Sequence, residues 1–144
     1  LVGDFRVASA ASRFTANFNR LGFHPGFGIS ITLPRVVGPQ CAALLLYTGR
    51  RIGGEEAHAM GLVDVLAPEG DERAAALALA TEIAQSAPLA VMATRQTLRQ
   101  GLSDAIAAIT DHELAEQERH FATSDFAEGV RAMAARRPPV FEGR

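Results

Sequence analysis

The feature of this sequence that most limits its fold is a change of pattern near residue 70. Before that point, short apolar segments alternate with turns rich in glycine and proline, which indicates a mixture of helices and strands. From Asp71 onward, apolar residues recur only at helical spacing. We therefore predict an α/β part over residues 1–70 and an all-helical part over residues 71–144.

The local patterns also predict the individual elements. The predicted strands cover residues 1–9 and 62–68, and an irregular loop covers residues 10–27. Helices are predicted over residues 29–37, 39–48 and 55–60, and four more begin at residues 71, 88, 103 and 124, the last two capped by Ser103 and Ser124. The helix that begins at residue 103 has a predicted apolar stripe of Ile106, Ile109, Thr110, Leu114, Gln117 and Phe121.

The composition excludes several classes of function. All 14 basic residues are arginine, so a phosphate-loop lysine, a Schiff-base lysine and a Ser-x-x-Lys nucleophile pair are impossible. The net charge is −2 with no run of one sign, and no apolar stretch approaches the length of a membrane span, so neither nucleic acid nor a membrane is an expected partner. Cys41 is the only cysteine, which excludes an internal disulfide and suits a cytoplasmic protein.

Two motifs that suggest a cofactor or a metal fail on spacing. His112 and His120 are eight residues apart rather than the four that would bring both imidazoles to one metal ion, so we predict no metal site and a solvated charged helix face there. The Gly26-x-Gly28 pair lacks the third glycine of a dinucleotide-binding turn.

Other polar residues keep two interpretations each. His24, between Phe23 and Phe27, is either an acid or base or a packing residue held by the loop backbone. Arg136, Arg137 and Arg144 either hold phosphates or solubilise the C-terminal tail. Asp4 and Arg6 flank Phe5 and are expected to form a structural polar pair. These residues alone do not identify a reaction.

Four collinear segments together resemble the C-terminal half of the enoyl-CoA hydratase/isomerase (crotonase) superfamily. They are DFRVASAASRF, LGFHPGFGISITLPRVVG, LLLYTGRRIGGEEAHAMGLVDVLAP and SDFAEGVRAMAARRPPVFEGR. The family's closing pattern matches Asp125, Glu128, Gly129, Pro139, Phe141, Gly143 and Arg144.

The resemblance implies the C-terminal part of a ββα spiral core over residues 1–70 and a helical oligomerisation region over residues 71–144, in a homotrimer or hexamer. It also implies an acyl-CoA substrate from fatty acid metabolism, with coenzyme A as part of the substrate and no separate cofactor. The resemblance further implies a reaction of the lyase or isomerase type, in which two backbone N–H groups stabilise the thioester enolate in an oxyanion hole.

The family's catalytic groups fall largely outside this sequence. Its oxyanion donors and first hydratase glutamate lie before Leu1, so no catalytic residue is assigned here, and we expect the chain to be inactive without a missing N-terminal half. The second hydratase glutamate matches Phe18, which cannot move a proton. A one-base isomerase, a hydrolase or a decarboxylase remains open, and a non-catalytic acyl-CoA-binding or assembly subunit is the alternative.

The resemblance and the glycine-rich loop also suggest which residues bind the substrate. The expected acyl-pocket residues are Phe18, Leu21, Phe23, His24, Pro25, Gly26 and Phe27. The expected coenzyme A contacts are Phe141 and Arg144.

Overall fold

The computed structural model describes residues 1–144 and combines short strands with longer helices. The strands are β1 (Val7–Ser9), β2 (Arg13–Thr15), β3 (Arg51–Gly53) and β4 (Val65–Ala67). The helices are α1 (Ile29–Thr48), α2 (Gly54–Ala59), α3 (Glu72–Ala84), α4 (Pro88–Leu98), α5 (Leu102–Phe121) and α6 (Ser124–Ala134), with a 3₁₀ helix at Phe18–Leu21. All strands precede α3, which confirms the predicted α/β class with a helical C-terminal region.

The chain divides into two compact units. The first comprises residues 1–14 and 52–105, and the second comprises residues 15–51 and 106–144. Each unit therefore takes residues from both sides of residue 70. The change of sequence pattern at that residue separates kinds of secondary structure, whereas the compact units follow the packing.

The first unit is organised around a parallel strand pair. β1 pairs with β4 in the register Val7 to Val65, Ala8 to Leu66 and Ser9 to Ala67. Ala57 of α2 and the neighbouring Val63 are fully buried beside this pair, so small and β-branched side chains form the core. Gly54 is required at the start of α2, since a Cβ there would overlap the carbonyl oxygen of Ser9.

The predicted strand over residues 1–9 is mostly wrong. Only Val7–Ser9 form a strand, and the first five residues are exposed. The backbone carbonyl of Arg6 already accepts hydrogen bonds from the N–H groups of Asp64 and Val65, which is where the pairing begins. Alternation of apolar residues alone does not make a strand where no neighbouring strand lies alongside.

The polar pair expected between Asp4 and Arg6 is also wrong. Asp4 instead forms ion pairs of 2.8 Å with both Arg95 and Arg99 of α4, and the hydrogen bond from Arg95 lowers the pKa of its carboxyl group. Arg6 pairs with Asp64 at 3.0 Å. Both side chains therefore tie the N-terminal segment to other elements of the first unit.

In the second unit, α1 consists of two helical segments that meet at a kink at Gly38. Gly38 has φ 77° and ψ 161°, and Pro39 follows it, so the two helices predicted on either side are both present and separated there. Leu33, Val37, Ala42 and Leu45 are its buried residues.

The expectation that no apolar stretch approaches the length of a membrane span is wrong for α1. Its 20 residues are long and apolar enough to cross a membrane by length and composition. The core helix of a soluble protein passes the same test, and α1 packs part of its surface within the second unit. The non-helical backbone at Gly38 interrupts the regular backbone hydrogen bonding of the helix, which a lipid environment requires.

The capping residues predicted for the last two helices are wrong. Helix α5 begins at Leu102, ahead of Ser103. The hydroxyl of Thr123, not Ser124, caps α6 by accepting a hydrogen bond from the N–H of Phe126 at 3.1 Å. The hydroxyl of Ser124 instead donates to the carbonyl oxygen of Arg144.

Candidate functional site

The residues expected to line an acyl pocket occupy the 3₁₀ helix and the loop that leads into α1. Pro25 and Gly26 are buried, and Nδ1 of His24 lies 2.7 Å from the carbonyl oxygen of Pro25. Phe27 differs from its neighbours, because its side chain is 90% exposed and its backbone has φ 64°. The loop thus buries its small residues and presents one aromatic ring to solvent.

Phe18 and Phe23 belong to an aromatic cluster. The ring centroid of Phe23 lies 5.5 Å from that of Phe18, 5.3 Å from Phe121 and 5.7 Å from Phe126. Two of these pairs are edge-to-face, the arrangement that aromatic quadrupoles favour. Phe18 remains partly exposed, so its ring both packs on Phe23 and retains a free surface.

Glu113 contradicts the prediction of a solvated charged face on α5. Its side chain is 1% exposed, while Leu114, which the sequence placed on the apolar stripe, is 53% exposed. The carboxylate of Glu113 accepts hydrogen bonds from the backbone N–H groups of Gly28 at 2.7 Å and Ser30 at 3.1 Å. The buried stripe of α5 therefore includes an acid that satisfies the start of α1.

The C-terminal tail is fixed to α6 by two acidic residues. The carboxylate of Asp125 accepts hydrogen bonds of 2.8 Å from the backbone N–H groups of Glu142 and Gly143. Glu128 forms a bidentate pair with Arg137 and also accepts from the N–H of Val140 at 3.1 Å. The tail is therefore an ordered part of the second unit.

The ion pair between Glu128 and Arg137 changes the pKa of the Glu128 carboxyl group. The hydrogen bond from the Arg137 guanidinium lowers the pKa of Glu128 from 4.5 to about 2. Because the pKa is lowered on folding, the pair stabilises the folded chain fully above pH 4.5, and this contribution is lost as the pH falls towards 2.

The same segment forms one wall of an arginine-lined pocket of about 590 Å³. Its lining residues are Arg20, Met133, Arg136, Arg137, Pro138 and Pro139. Arg20 is oriented by a hydrogen bond of 2.7 Å from its Nε to the carbonyl oxygen of Thr48. Arg136 follows the end of α6 with φ 53°, a left-handed position at which glycine is usual. Three arginines thus line one pocket, and the guanidinium of one of them, Arg137, is already paired with Glu128.

Phe141 and Arg144, the expected coenzyme A contacts, lie further along the tail. Phe141 is 41% exposed, and Arg144 forms an ion pair with Glu142. The sequence marked Arg136 and Arg137 as candidates for phosphate binding, but it gave no sign that Arg20, more than 100 residues earlier, lines the same pocket. No group of three or more His, Cys, Asp or Glu side chains is arranged to hold a metal ion.

The parallel strand pair, the glycine-rich loop and the helical C-terminal region make this an α/β protein, and its solved structural neighbours have the crotonase fold. The family model described as enoyl-CoA hydratase/isomerase matches residues 1–144, and the chain belongs to this family.

Comparisons with individual proteins agree with this assignment. The chain is 35% identical to 2,3-dehydroadipyl-CoA hydratase of Escherichia coli, over 100% of its own length and 56% of that protein. It is 34% identical to the human mitochondrial enoyl-CoA hydratase domain-containing protein 2, over 100% of its length and 51% of that protein. The crystal structure of a carnitinyl-CoA hydratase from Mycobacterium avium matches 99% of this chain and 56% of that chain, with a TM-score of 0.88 and 27% identity. The chain spans about half the length of the curated relatives it matches.

Proposed function

We propose that this chain is the substrate-binding part of an acyl-CoA-processing enzyme of the hydratase/isomerase type. The arginine-lined pocket holds phosphate groups of coenzyme A, and the loop before α1 lines the acyl group. The oxyanion hole that stabilises the thioester enolate and the first glutamate come from a segment that matches the other half of the relatives. The chain alone therefore binds the thioester without turning it over.

The observation that carries this proposal is the pocket lined by Arg20, Arg136 and Arg137. Because Arg137 is paired with Glu128, Arg20 and Arg136 supply the charge for an anion. Coenzyme A carries several phosphate charges, and arginine presents paired N–H donors that match phosphate oxygens. The left-handed backbone at Arg136 costs about 1 kcal/mol relative to glycine and belongs to the hydrogen-bonded end of α6, where the N–H groups of Arg136 and Arg137 donate to Met133 and Ala132.

Self-association of the chain is a further part of the proposal. Helices α3 and α4 have no buried residues, and Leu77, Leu89, Met92 and Leu98 are more than half exposed. Apolar faces of this size are usually covered by another protein surface. We propose that copies of this chain, or a segment that matches the other half of the relatives, cover them.

The alternative is an acyl-CoA-binding subunit without catalysis, which Phe18 favours. A phenyl ring at the position of the second glutamate offers no base to activate water. Both functions require coenzyme A binding, so turnover by a protein that also contains the other half distinguishes them.

Replacing Arg136 with glycine is expected to weaken binding of butyryl-CoA by about tenfold, because it removes a charge-assisted contact to phosphate. The same substitution relieves the left-handed backbone strain and should not lower the melting temperature. Isothermal titration calorimetry with butyryl-CoA, free coenzyme A and dephospho-coenzyme A gives the affinities.

The matched control is Arg73→Ala, on the exposed surface of α3 in the first unit. It changes the net charge equally and should leave the affinity unchanged. Equal weakening by both substitutions would mean that binding follows net charge alone, and no binding by the unaltered chain would exclude the proposed function.

Phe18→Glu tests the catalytic alternative in a protein that also contains the family's first glutamate. The new carboxylate supplies a base for water, so hydration of crotonyl-CoA is expected to rise from a low background and to increase with pH as the carboxyl group ionises. The measurement is the initial rate of hydration at several pH values.

Phe18→Gln is the control, because glutamine has nearly the same size as glutamate but cannot act as a base. An equal gain in both variants would exclude a base at this position. An unfolded, inactive Phe18→Glu protein, measured by its melting temperature, would show that the ring is needed for packing on Phe23 rather than for lining a pocket.

A further inference from the structure

Glu113 is the most deeply buried ionisable side chain of the second unit, and both of its oxygens contact the start of α1. Oε2 accepts from the N–H of Gly28, and Oε1 accepts from the N–H of Ser30. Burying a carboxylate is costly unless its hydrogen bonds are satisfied, and these two backbone donors satisfy it. The acid on α5 therefore caps the beginning of α1 from a distance of 85 residues along the chain.

The backbone conformation explains why the cap comes from another helix. Gly28 precedes α1 with φ 69°, and a Cβ at this position would come within 3.0 Å of Ile106. A serine or aspartate, the usual capping residues, is therefore unfavourable there. The N–H groups at the start of α1 need an external acceptor, and Glu113 provides it.

Gln117, one helical turn after Glu113, holds the other end of the loop. Its Nε2 donates a hydrogen bond of 3.0 Å to the carbonyl oxygen of His24. Gly26 packs against the same amide, and a side chain at Gly26 would overlap it. Helix α5 thus fixes the loop at His24, Gly28 and Ser30.

Between these fixed points lies Phe27, in a strained left-handed conformation and almost fully exposed. Such a conformation in an aromatic residue persists only where its surroundings determine it. The hydrogen bonds of Glu113 and Gln117 on either side are those surroundings.

We propose that Glu113, supported by Gln117, is a positioning residue that holds Phe27 where it contacts the acyl group of the bound thioester. This inference rests on the proposed function for its ligand. The positioning itself depends only on contacts within the second unit. Glu113 touches no substrate and acts through the loop.

The first test measures the loop without any ligand. In Glu113→Gln, the amide NH₂ group faces one of the two backbone N–H donors, so that hydrogen bond is lost. Chymotrypsin cleavage after Phe27, followed by mass spectrometry of the 1–27 fragment, is expected to be about tenfold faster than in the unaltered chain. Glu118→Gln, on the exposed side of α5, is the control and should leave the rate unchanged.

The second test compares the affinities for butyryl-CoA and free coenzyme A. Glu113→Gln is expected to reduce the preference for butyryl-CoA several-fold while the affinity for free coenzyme A stays the same. A general loss of structure would instead weaken the binding of both ligands. If Glu113→Gln does not fold, Gln117→Ala removes only the contact to His24 and is measured in the same two ways.

The outcomes separate the two proposals. Absence of binding by the unaltered chain overturns the proposed function and the acyl contact, while faster cleavage of Glu113→Gln still supports the positioning role. Unchanged cleavage together with an unchanged ligand preference overturns the inference.

Discussion

Replacing Gly54 with alanine is expected to lower the free energy of unfolding by on the order of 3 kcal/mol. The added Cβ would overlap the carbonyl oxygen of Ser9 and come within 2.8 Å of its carbonyl carbon. Ser9 is the last residue of β1 and pairs with Ala67, so the backbone cannot move away without breaking the strand pair. Urea denaturation followed by circular dichroism measures the change.

The neighbouring glycine provides the control. A Cβ at Gly53 would lie 3.8 Å from Nη1 of Arg13 and 4.0 Å from the carbonyl oxygen of Ala10, which are ordinary contacts. Its φ of −85° suits any residue. Gly53→Ala should therefore change stability by less than about 1 kcal/mol. Similar losses in both variants would contradict the steric explanation for Gly54.

Replacing Phe23 with alanine is expected to lower the free energy of unfolding by about 3 kcal/mol. Its ring is the one that contacts Phe18, Phe121 and Phe126 together, so its removal leaves a cavity among three aromatic side chains. The same urea titration measures the loss, and thermal melting of the variant gives an independent value.

Phe27→Ala is the matched control, because it removes the same ring from the same loop. Phe27 is exposed and makes no contact with the cluster, so its removal should change stability by less than about 0.5 kcal/mol. A large loss at Phe27, or a negligible loss at Phe23, would mean that the cluster does not stabilise the second unit.

The sequence predicted the helices better than the strands for a physical reason. Pro88 begins α4 at its first position, as expected for a residue without an N–H donor at a helix start. Helical spacing is a local property, so it is readable from a few turns of chain. The strand at Val7–Ser9 depends on Val65–Ala67, almost 60 residues away, and its ends could not be read from alternation alone.

The position of Glu113 could not be read from polarity, because polarity alone assigns a Glu to the solvent. A signal was nevertheless present. Ile106, Glu113 and Gln117 follow one another at helical spacing, so the acid lies on the same face as an apolar residue. The glycine-rich start of α1 also lacks a capping side chain of its own. Together these two observations would have favoured a buried acceptor on another element.

The arginine-lined pocket was only partly predictable. Arg136 and Arg137 are adjacent in sequence and were natural candidates for anion binding. Arg20 lies beside them because the 3₁₀ helix packs on α6. This close packing requires glycine at residue 129, since a Cβ added there would lie 2.5 Å from the backbone of Leu21. That approach depends on tertiary packing, which residue types and spacing do not reveal.

The kink at Gly38 determines what a substitution at this position would cost. An added Cβ would meet no neighbouring element within 4 Å, yet φ 77° with ψ 161° is a conformation that only glycine adopts readily. The direction of the second half of α1 therefore depends on the backbone at Gly38, and any other residue there would be opposed by main-chain strain and not by crowding.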